Sequence, residues 1–179
     1  MLGLLIFVGY KGHKLTDKVY YLMSAIELVH VASLIHDDVI DKADSRRGQV
    51  SVNKEWGNST AVVLGVYVYA QSLSLIHQSG DMSVLGYFSR VVRLMCEGEL
   101  FQLRSRQDMK LSLLRYYRVI YCKTASLFSA AFWIGSYLAD CSDDDQRTIK
   151  QIGLRFGFLY QFFDDLLDIL DEENFLNKK

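Results

Sequence analysis

Hydrophobic residues recur every three to four positions along most of the chain, and polar stretches separate the apolar segments. This spacing predicts long helices, because residues three and four apart share one face of a helix, and no segment alternates cleanly as a strand would. Residues 42–57 are polar and are predicted to form a loop. We predict helices over about residues 1–10, 16–41, 59–77, 82–106 and 110–138, and a last one from after Cys141 through Asp168.

Two candidate caps support these helix starts. Thr16 or Asp17 stands near the start of the second helix. Ser142, followed three residues later by Asp145, resembles a capping box with Asp in place of Glu.

The apolar run 1–10 is short and lacks a basic leader, so we interpret it as a core helix rather than a signal peptide or membrane span.

Composition is consistent with one all-α domain. The chain has 179 residues, 50% of them hydrophobic, and no proline. It carries 20 basic and 21 acidic residues, and no basic stripe suggests nucleic-acid binding. Cys96, Cys122 and Cys141 are widely spaced. They form neither a disulfide framework nor a CxxC metal site, which favours a reducing, cytoplasmic location.

Two aspartate motifs carry the candidate chemistry. Asp37–Asp41 and Asp164–Asp168 both read DDxxD, and both are predicted to end apolar helices. The first and last aspartates of each motif share a helix face, where two like charges are destabilising unless a cation lies between them. Such hard oxygen ligands suit Mg²⁺, which keeps several waters and is usually shared with substrate phosphates. The alternative for either motif is a solvated acidic helix end, as we interpret Asp143–Asp145 at a helix start.

The residues around both motifs resemble the trans-type (E) polyprenyl diphosphate synthases. The resemblance includes residues 25–41 and continues, in family order, through residues 44–58, 96–102, 121–127 and 157–165. It implies one domain over residues 1–179, with an isoprenoid synthase-type helical bundle around a central cavity. The implied activity is that of a prenyltransferase, which condenses isopentenyl diphosphate with an allylic diphosphate to make an all-trans polyprenyl diphosphate.

The resemblance also implies roles for individual residues. Mg²⁺ would be held by Asp37, Asp38, Asp41, Asp164, Asp165 and Asp168. The substrate diphosphates would be bound by Arg46, Arg47, Lys123, Thr124, Gln161 and Lys178. The catalytic residues would be Asp37, Asp41, Lys123 and Asp164. Arg46 and Arg47 could instead be solvated loop charges, and Asn177 stands before Lys178 where the family usually has Gly.

Two small residues before the first motif bear on product length. Ala32 and Ser33 lie where short-chain members of the family carry bulky aromatic residues. The resemblance therefore implies an open tunnel and a long-chain product. The alternative is that Ala32 and Ser33 only permit close helix packing.

Several alternatives remain open. The family has a basic segment upstream of the first motif and further helices downstream of the second, so we expect a fragment or a reduced protein. A catalytically deficient subunit could bind Mg²⁺-diphosphate or a partner subunit. A terpene cyclase would normally lack the second DDxxD motif, and a structural bundle would not need either. The apolar helix 59–77 and the family habit predict a homodimer or a heteromer, and a lipid-like product would allow transient membrane association.

Overall fold

The structure is a computed structural model that describes residues 15–46, 48–105 and 112–176, without the side chains of residues 105 and 171–176. It confirms the all-α prediction. Seven α-helices form within the described residues: α1 Asp17–Asp41, α2 Val52–Trp56, α3 Asn58–Gln78, α4 Met82–Ser105, α5 Leu113–Ile120, α6 Ser126–Leu138 and α7 Asp143–Leu176. The helix predicted over residues 1–10 lies outside the described residues, as do Arg47 and Lys178.

Three elements differ from the predicted ones. The predicted loop 42–57 contains α2 and a short antiparallel hairpin, β1 Ser45–Arg46 with β2 Gln49–Val50. The predicted helix 110–138 is divided into α5, a π-helical turn and α6, and the π-helical turn occupies Tyr121–Ala125. Hydrophobic spacing does not distinguish a π-helical turn from an α-helix over so few residues.

The second aspartate motif does not end its helix, contrary to the prediction. α7 continues past Asp168 to Leu176. The residues after Asp168 include no glycine or proline that would stop a helix. The motif therefore lies within α7, whereas the first motif does end α1.

Side chains and backbone define the predicted helix ends. Thr16 Oγ1 accepts a hydrogen bond from the backbone N–H of Val19 at 3.4 Å, and Ser142 Oγ accepts one from Asp145 at 3.2 Å. Lys42 follows α1 with φ 54°, in the left-handed region, and turns the chain directly after the first motif. The cap at each predicted position is confirmed.

The hydrophobic core lies between the long helices. Its fully buried side chains include Leu22 and Ile26 on α1, Ile76 on α3, Phe88 on α4 and Ile134 on α6. α1 packs along α3, and α6 packs along α7. This packing holds the two helices that carry the aspartate motifs in one bundle.

Two helices leave apolar side chains at the surface. α3 contains no Asp, Glu, Lys or Arg, and it exposes Val62, Val63, Val66 and Tyr67. α7 exposes a stripe at alternating spacings of four and three residues: Ile152, Phe156, Leu159, Phe163, Leu166 and Leu170. Among the described residues, α1 and α3 are long and apolar enough to cross a membrane by length and composition alone, and 39% and 22% of their apolar windows are buried within the fold.

Candidate active site

A cavity of about 880 Å³ opens between α1, α4, α5, α7 and the π-helical turn. Both aspartate motifs line it, although they are far apart in the sequence. Of the other described residues proposed from the sequence, Arg46, Lys123, Thr124, Gln161 and Ser33 line it as well. Ala32 is not among the described lining residues and is only 4% exposed. The fold thus collects nearly all the described candidates at one place.

The second aspartate of the first motif is paired with an arginine. Asp38 is buried, and its Oδ1 accepts a hydrogen bond from Arg46 Nε at 2.8 Å and lies 2.7 Å from Arg46 Nη2. Arg46 lies on β1, so the hairpin after α1 brings the guanidinium back over the motif. This charge-assisted pair fixes both side chains at the edge of the cavity.

Negative charge accumulates at the first aspartate of the motif. Burial raises the pKa of Asp37, and the nearby charges of Glu99 and Asp41 raise it further. Lys123 and Arg46 lower the pKa of Asp37 but do not cancel this rise. A bound cation would relieve the repulsion among these carboxylates.

Lys123 lies at the centre of a polar cluster in the cavity wall. Its Nζ forms an ion pair with Glu99 and donates a hydrogen bond to Gln102 Oε1 at 2.9 Å. Asp37 Oδ1 lies 3.9 Å from the same nitrogen. The ammonium group therefore stands between α4 and the first motif on α1.

The second motif is held by a chain of neutral donors. Thr124 Oγ1 donates a hydrogen bond to Gln161 Oε1 at 2.7 Å, and Gln161 Nε2 donates one to Asp165 Oδ1 at 2.8 Å. The Tyr116 hydroxyl donates to the other oxygen of Asp165. Burial, together with this hydrogen bond, raises the pKa of Tyr116 to about 12.

Sequence reasoning missed three residues of this site. Glu99 and Gln102 lie within a block that resembles the family, and their spacing of three could have placed both on one helix face, although not beside Lys123. Tyr116 lies outside all the sequence blocks that resemble the family. Its contact with Asp165 joins residues far apart in sequence, so no local pattern indicates it.

The carboxylates fit Mg²⁺ better as a shared site than as a closed one. Within the described part of the chain, no group of three or more His, Cys, Asp or Glu side chains is placed to hold a metal alone. The donors that line the cavity are hard carboxylate oxygens from two facing helices. Such donors suit an ion whose coordination is completed by water and by a phosphate ligand.

The fold and the site define a class, that of all-α proteins with two aspartate motifs lining one central cavity. A family model described as polyprenyl synthetase matches residues 1–179. The chain therefore belongs to the polyprenyl synthetase family.

Individual relatives show the same likeness. Octaprenyl diphosphate synthase from Escherichia coli (strain K12) is 36% identical over 161 residues, which are 90% of this chain and 49% of that protein. Heptaprenyl diphosphate synthase component 2 from Bacillus subtilis (strain 168) is 32% identical over 162 residues, which are 90% of this chain and 47% of that protein. The chain spans about half the length of these curated relatives.

A solved structure extends the likeness to the fold. The crystal structure of a decaprenyl diphosphate synthase from Rhodobacter capsulatus superposes with a TM-score of 0.89 at 33% identity. The match covers 93% of this chain and 52% of that one. The predicted isoprenoid synthase-type bundle is thereby confirmed.

Proposed function

We propose that this chain forms the diphosphate-binding cavity of a trans-polyprenyl diphosphate synthase. The reaction condenses isopentenyl diphosphate with an allylic diphosphate. The observation that carries the proposal is that two DDxxD motifs, Arg46 and Lys123 line a single cavity. The family membership and the printed names of the relatives support the same reaction class.

The side chains that line the cavity have different proposed roles. Asp37, Asp41, Asp164 and Asp168 would hold Mg²⁺, which supplies charge neutralisation to the departing diphosphate when it is bound. Arg46, kept in place by Asp38, binds oxygens of the allylic diphosphate, because a guanidinium fork suits phosphate geometry.

Lys123 and Thr124, on the π-helical turn, contribute further to diphosphate binding. The Lys123 ammonium supplies a positive charge to the diphosphate from the α4 side of the cavity. Thr124 orients Gln161, which in turn orients Asp165 beside the other metal-binding carboxylates. We propose that Arg47 and Lys178 add contacts to the diphosphates.

The apolar wall of the cavity protects the reactive intermediate. The carbon–oxygen bond of the allylic diphosphate breaks, and the electron pair leaves with the diphosphate. The double bond of isopentenyl diphosphate then attacks the allylic cation, and the released diphosphate takes the proton that is lost. Leu34, Phe101, Ile120, Leu127 and Phe128 line the cavity and exclude water from the cation.

We propose a long-chain product. Ser33 is small and lines the cavity on α1, so the wall leaves room there for a growing prenyl chain. The relatives are named octaprenyl and heptaprenyl diphosphate synthases, which is consistent with an open tunnel. Ala32 is buried, which favours the alternative that its small size permits close helix packing.

We propose that a second copy of the chain covers the exposed face of α3. A helix without charged residues that exposes Val62, Val63, Val66 and Tyr67 is unusual at a solvent surface. An uncharged apolar face can match a copy of itself across a two-fold axis. A heteromer is the second candidate, because one relative is named as a component 2.

The three free cysteines favour a cytoplasmic location, with transient membrane association when the lipid-like product leaves.

Calorimetry tests the central proposal. Mg²⁺ should bind weakly alone and more tightly when inorganic pyrophosphate or a non-ionising allylic diphosphate analogue is present. Asp37→Asn and Asp164→Asn should each abolish the ligand-dependent part, whereas Asp143→Asn, in the exposed acidic start of α7, should leave it unchanged. Equal Mg²⁺ affinity with and without the diphosphate would contradict a shared site.

A turnover assay separates the synthase from its closest alternative. Incorporation of labelled isopentenyl diphosphate into an allylic primer would establish the transferase. Ligand-dependent Mg²⁺ binding without incorporation would favour the catalytically deficient subunit instead. Cyclised products from an allylic diphosphate alone would favour a terpene cyclase.

A further inference from the structure

The π-helical turn packs unusually closely against α4 beside the cavity. Gly98 on α4 makes this approach possible, because a Cβ atom there would lie 2.6 Å from Cys122 Cβ and 3.1 Å from Lys123 Cγ. Any larger residue would push the turn away from α4. The approach places the Lys123 side chain directly against the next residue of α4, Glu99.

Glu99 and Gln102 hold the ammonium group from one side. They are three residues apart on α4 and therefore share a helix face. Glu99 forms an ion pair with Lys123, and Gln102 accepts a hydrogen bond from it at 2.9 Å. The Glu99 side chain is only 13% exposed, so water screens this pair weakly.

Asp37 competes with Glu99 for the same ammonium group. Its Oδ1 lies 3.9 Å from Lys123 Nζ, which is farther than a direct hydrogen bond. Asp37 and Glu99 both lie within ion-pair distance of Lys123. A small rotation of the lysine side chain would bring it onto the aspartate that we propose as a metal ligand.

We propose that Glu99 is a positioning residue that keeps the Lys123 ammonium off Asp37, so that Asp37 stays available to a metal cation. This inference rests on the proposed function, because it assumes that Asp37 binds Mg²⁺ together with a diphosphate. Glu99 itself is not among the described residues that line the cavity. Its contribution is to hold Lys123 at the cavity wall, where the ammonium faces the diphosphate instead of the aspartate.

The test is a calorimetric titration of Mg²⁺ into the chain in the presence of inorganic pyrophosphate. Glu99→Gln keeps the shape of the side chain but removes the charge that holds Lys123. The half-saturating Mg²⁺ concentration should rise about tenfold, because loss of the ion pair with Glu99 lets Lys123 move to Asp37. Glu97→Gln is the matched control on the same helix, since Glu97 is half exposed and pairs only loosely with Arg93 at 3.7 Å. Glu97→Gln should change the half-saturating Mg²⁺ concentration less than about twofold.

A double variant distinguishes positioning from a simple loss of negative charge. In a Lys123→Gln background no ammonium can move onto Asp37, so adding Glu99→Gln should no longer raise the half-saturating Mg²⁺ concentration. A rise of the same size in both backgrounds would overturn the proposal, because it would mean that Glu99 attracts Mg²⁺ by charge alone. Glu99→Asp keeps the charge and should restore most of the wild-type value.

Folding and binding controls keep the outcomes separate. Far-ultraviolet circular dichroism and thermal unfolding establish that each variant is folded. If Glu99→Gln does not fold, Gln102→Ala removes the second Lys123 contact and should raise the half-saturating Mg²⁺ concentration in the same direction, by about twofold to threefold. An unchanged or lower value in Glu99→Gln, or in Gln102→Ala in its place, would overturn the inference alone. A wild-type chain that binds no Mg²⁺ with pyrophosphate would overturn the proposed function and this inference with it.

Discussion

The hydroxyl group of Tyr116 donates a hydrogen bond to Asp165 and so ties α5 to the second aspartate motif on α7. The other carboxylate oxygen of Asp165 accepts a hydrogen bond from Gln161. The first motif has a parallel arrangement, because Asp38 is held by Arg46. In both motifs, the protein itself fixes the second aspartate in place.

Tyr116→Phe should destabilise the protein without changing the shape of the aromatic ring. The loss of a hydrogen bond to a carboxylate in a partly buried place should lower the free energy of unfolding by about 1–3 kcal/mol. Tyr117→Phe is the control, because Tyr117 is exposed and its ring packs against Phe158 and Phe162 in either form. Urea unfolding measures the free energy of unfolding of both variants. An equal loss in Tyr116→Phe and Tyr117→Phe would contradict the special role of Tyr116.

The same contact predicts a loss of stability at high pH. Because the folded pKa of Tyr116 is raised to about 12, the folded protein holds the phenol proton more tightly than the unfolded chain does. The stabilisation of the folded protein that comes from this raised pKa is fully present below the ordinary tyrosine pKa of about 10. It is lost as the pH rises toward about 12. Urea unfolding between these values should therefore show a steeper decline for the wild type than for Tyr116→Phe.

Asp81→Asn should change the stability of the protein in acid. Burial raises the pKa of Asp81, but the hydrogen bonds from Lys18 and from the Val84 backbone N–H outweigh burial and leave the pKa below its usual range. The stabilisation is present above about pH 4 and is lost as the pH falls through the lowered folded value. Thermal unfolding from pH 7 to pH 2 should show a flatter decline for Asp81→Asn than for the wild type. Identical pH profiles would contradict this account.

Ser33→Phe should shorten the prenyl product of the active protein. The ring would project from the cavity wall on α1 and fill part of the proposed tunnel. Ala32→Phe introduces the same ring at a buried position, so it should mainly destabilise the fold, by about 1–3 kcal/mol. Chromatography of dephosphorylated products from isopentenyl diphosphate and a short allylic primer checks the length. Unchanged products from an active Ser33→Phe protein would show that the tunnel runs elsewhere.

Val63→Glu should prevent self-association. Val63 is 69% exposed on the uncharged face of α3, so a charge there would be buried in the proposed interface between copies. Sedimentation at micromolar concentration should show a dimer for the wild type and a monomer for Val63→Glu. The control is Leu114→Glu, at an apolar position on α5 that is 80% exposed, which should leave the dimer intact.

Other results would indicate that something other than a second copy of the chain covers the exposed face of α3. A wild-type monomer in sedimentation would contradict the homodimer. Co-sedimentation of the wild type, but not of Val63→Glu, with phospholipid vesicles would indicate that the face meets a membrane.

Hydrophobic spacing predicted the long helices because each must bury one face, whatever its neighbours are. α3 and α4 begin and end within about one residue of their predicted limits. The hairpin after α1 was not predicted, because two-residue strands bury no face of their own. The end of α7 was placed too early, because the aspartate motif was mistaken for a helix terminus.

By itself, the sequence determined the all-α class, the two aspartate motifs and the family resemblance, because each depends on residues close together along the chain. The choice of partners was decided by the tertiary structure alone. Glu99 meets Lys123 because Gly98 lets two helical segments approach, and Tyr116 meets Asp165 because α5 and α7 line the same cavity. Ala32 and Ser33 are equal in the sequence pattern, yet one is buried and the other lines the cavity. Adjacent helical residues point about 100° apart, and only the packing of the neighbouring helices decides which direction faces the cavity.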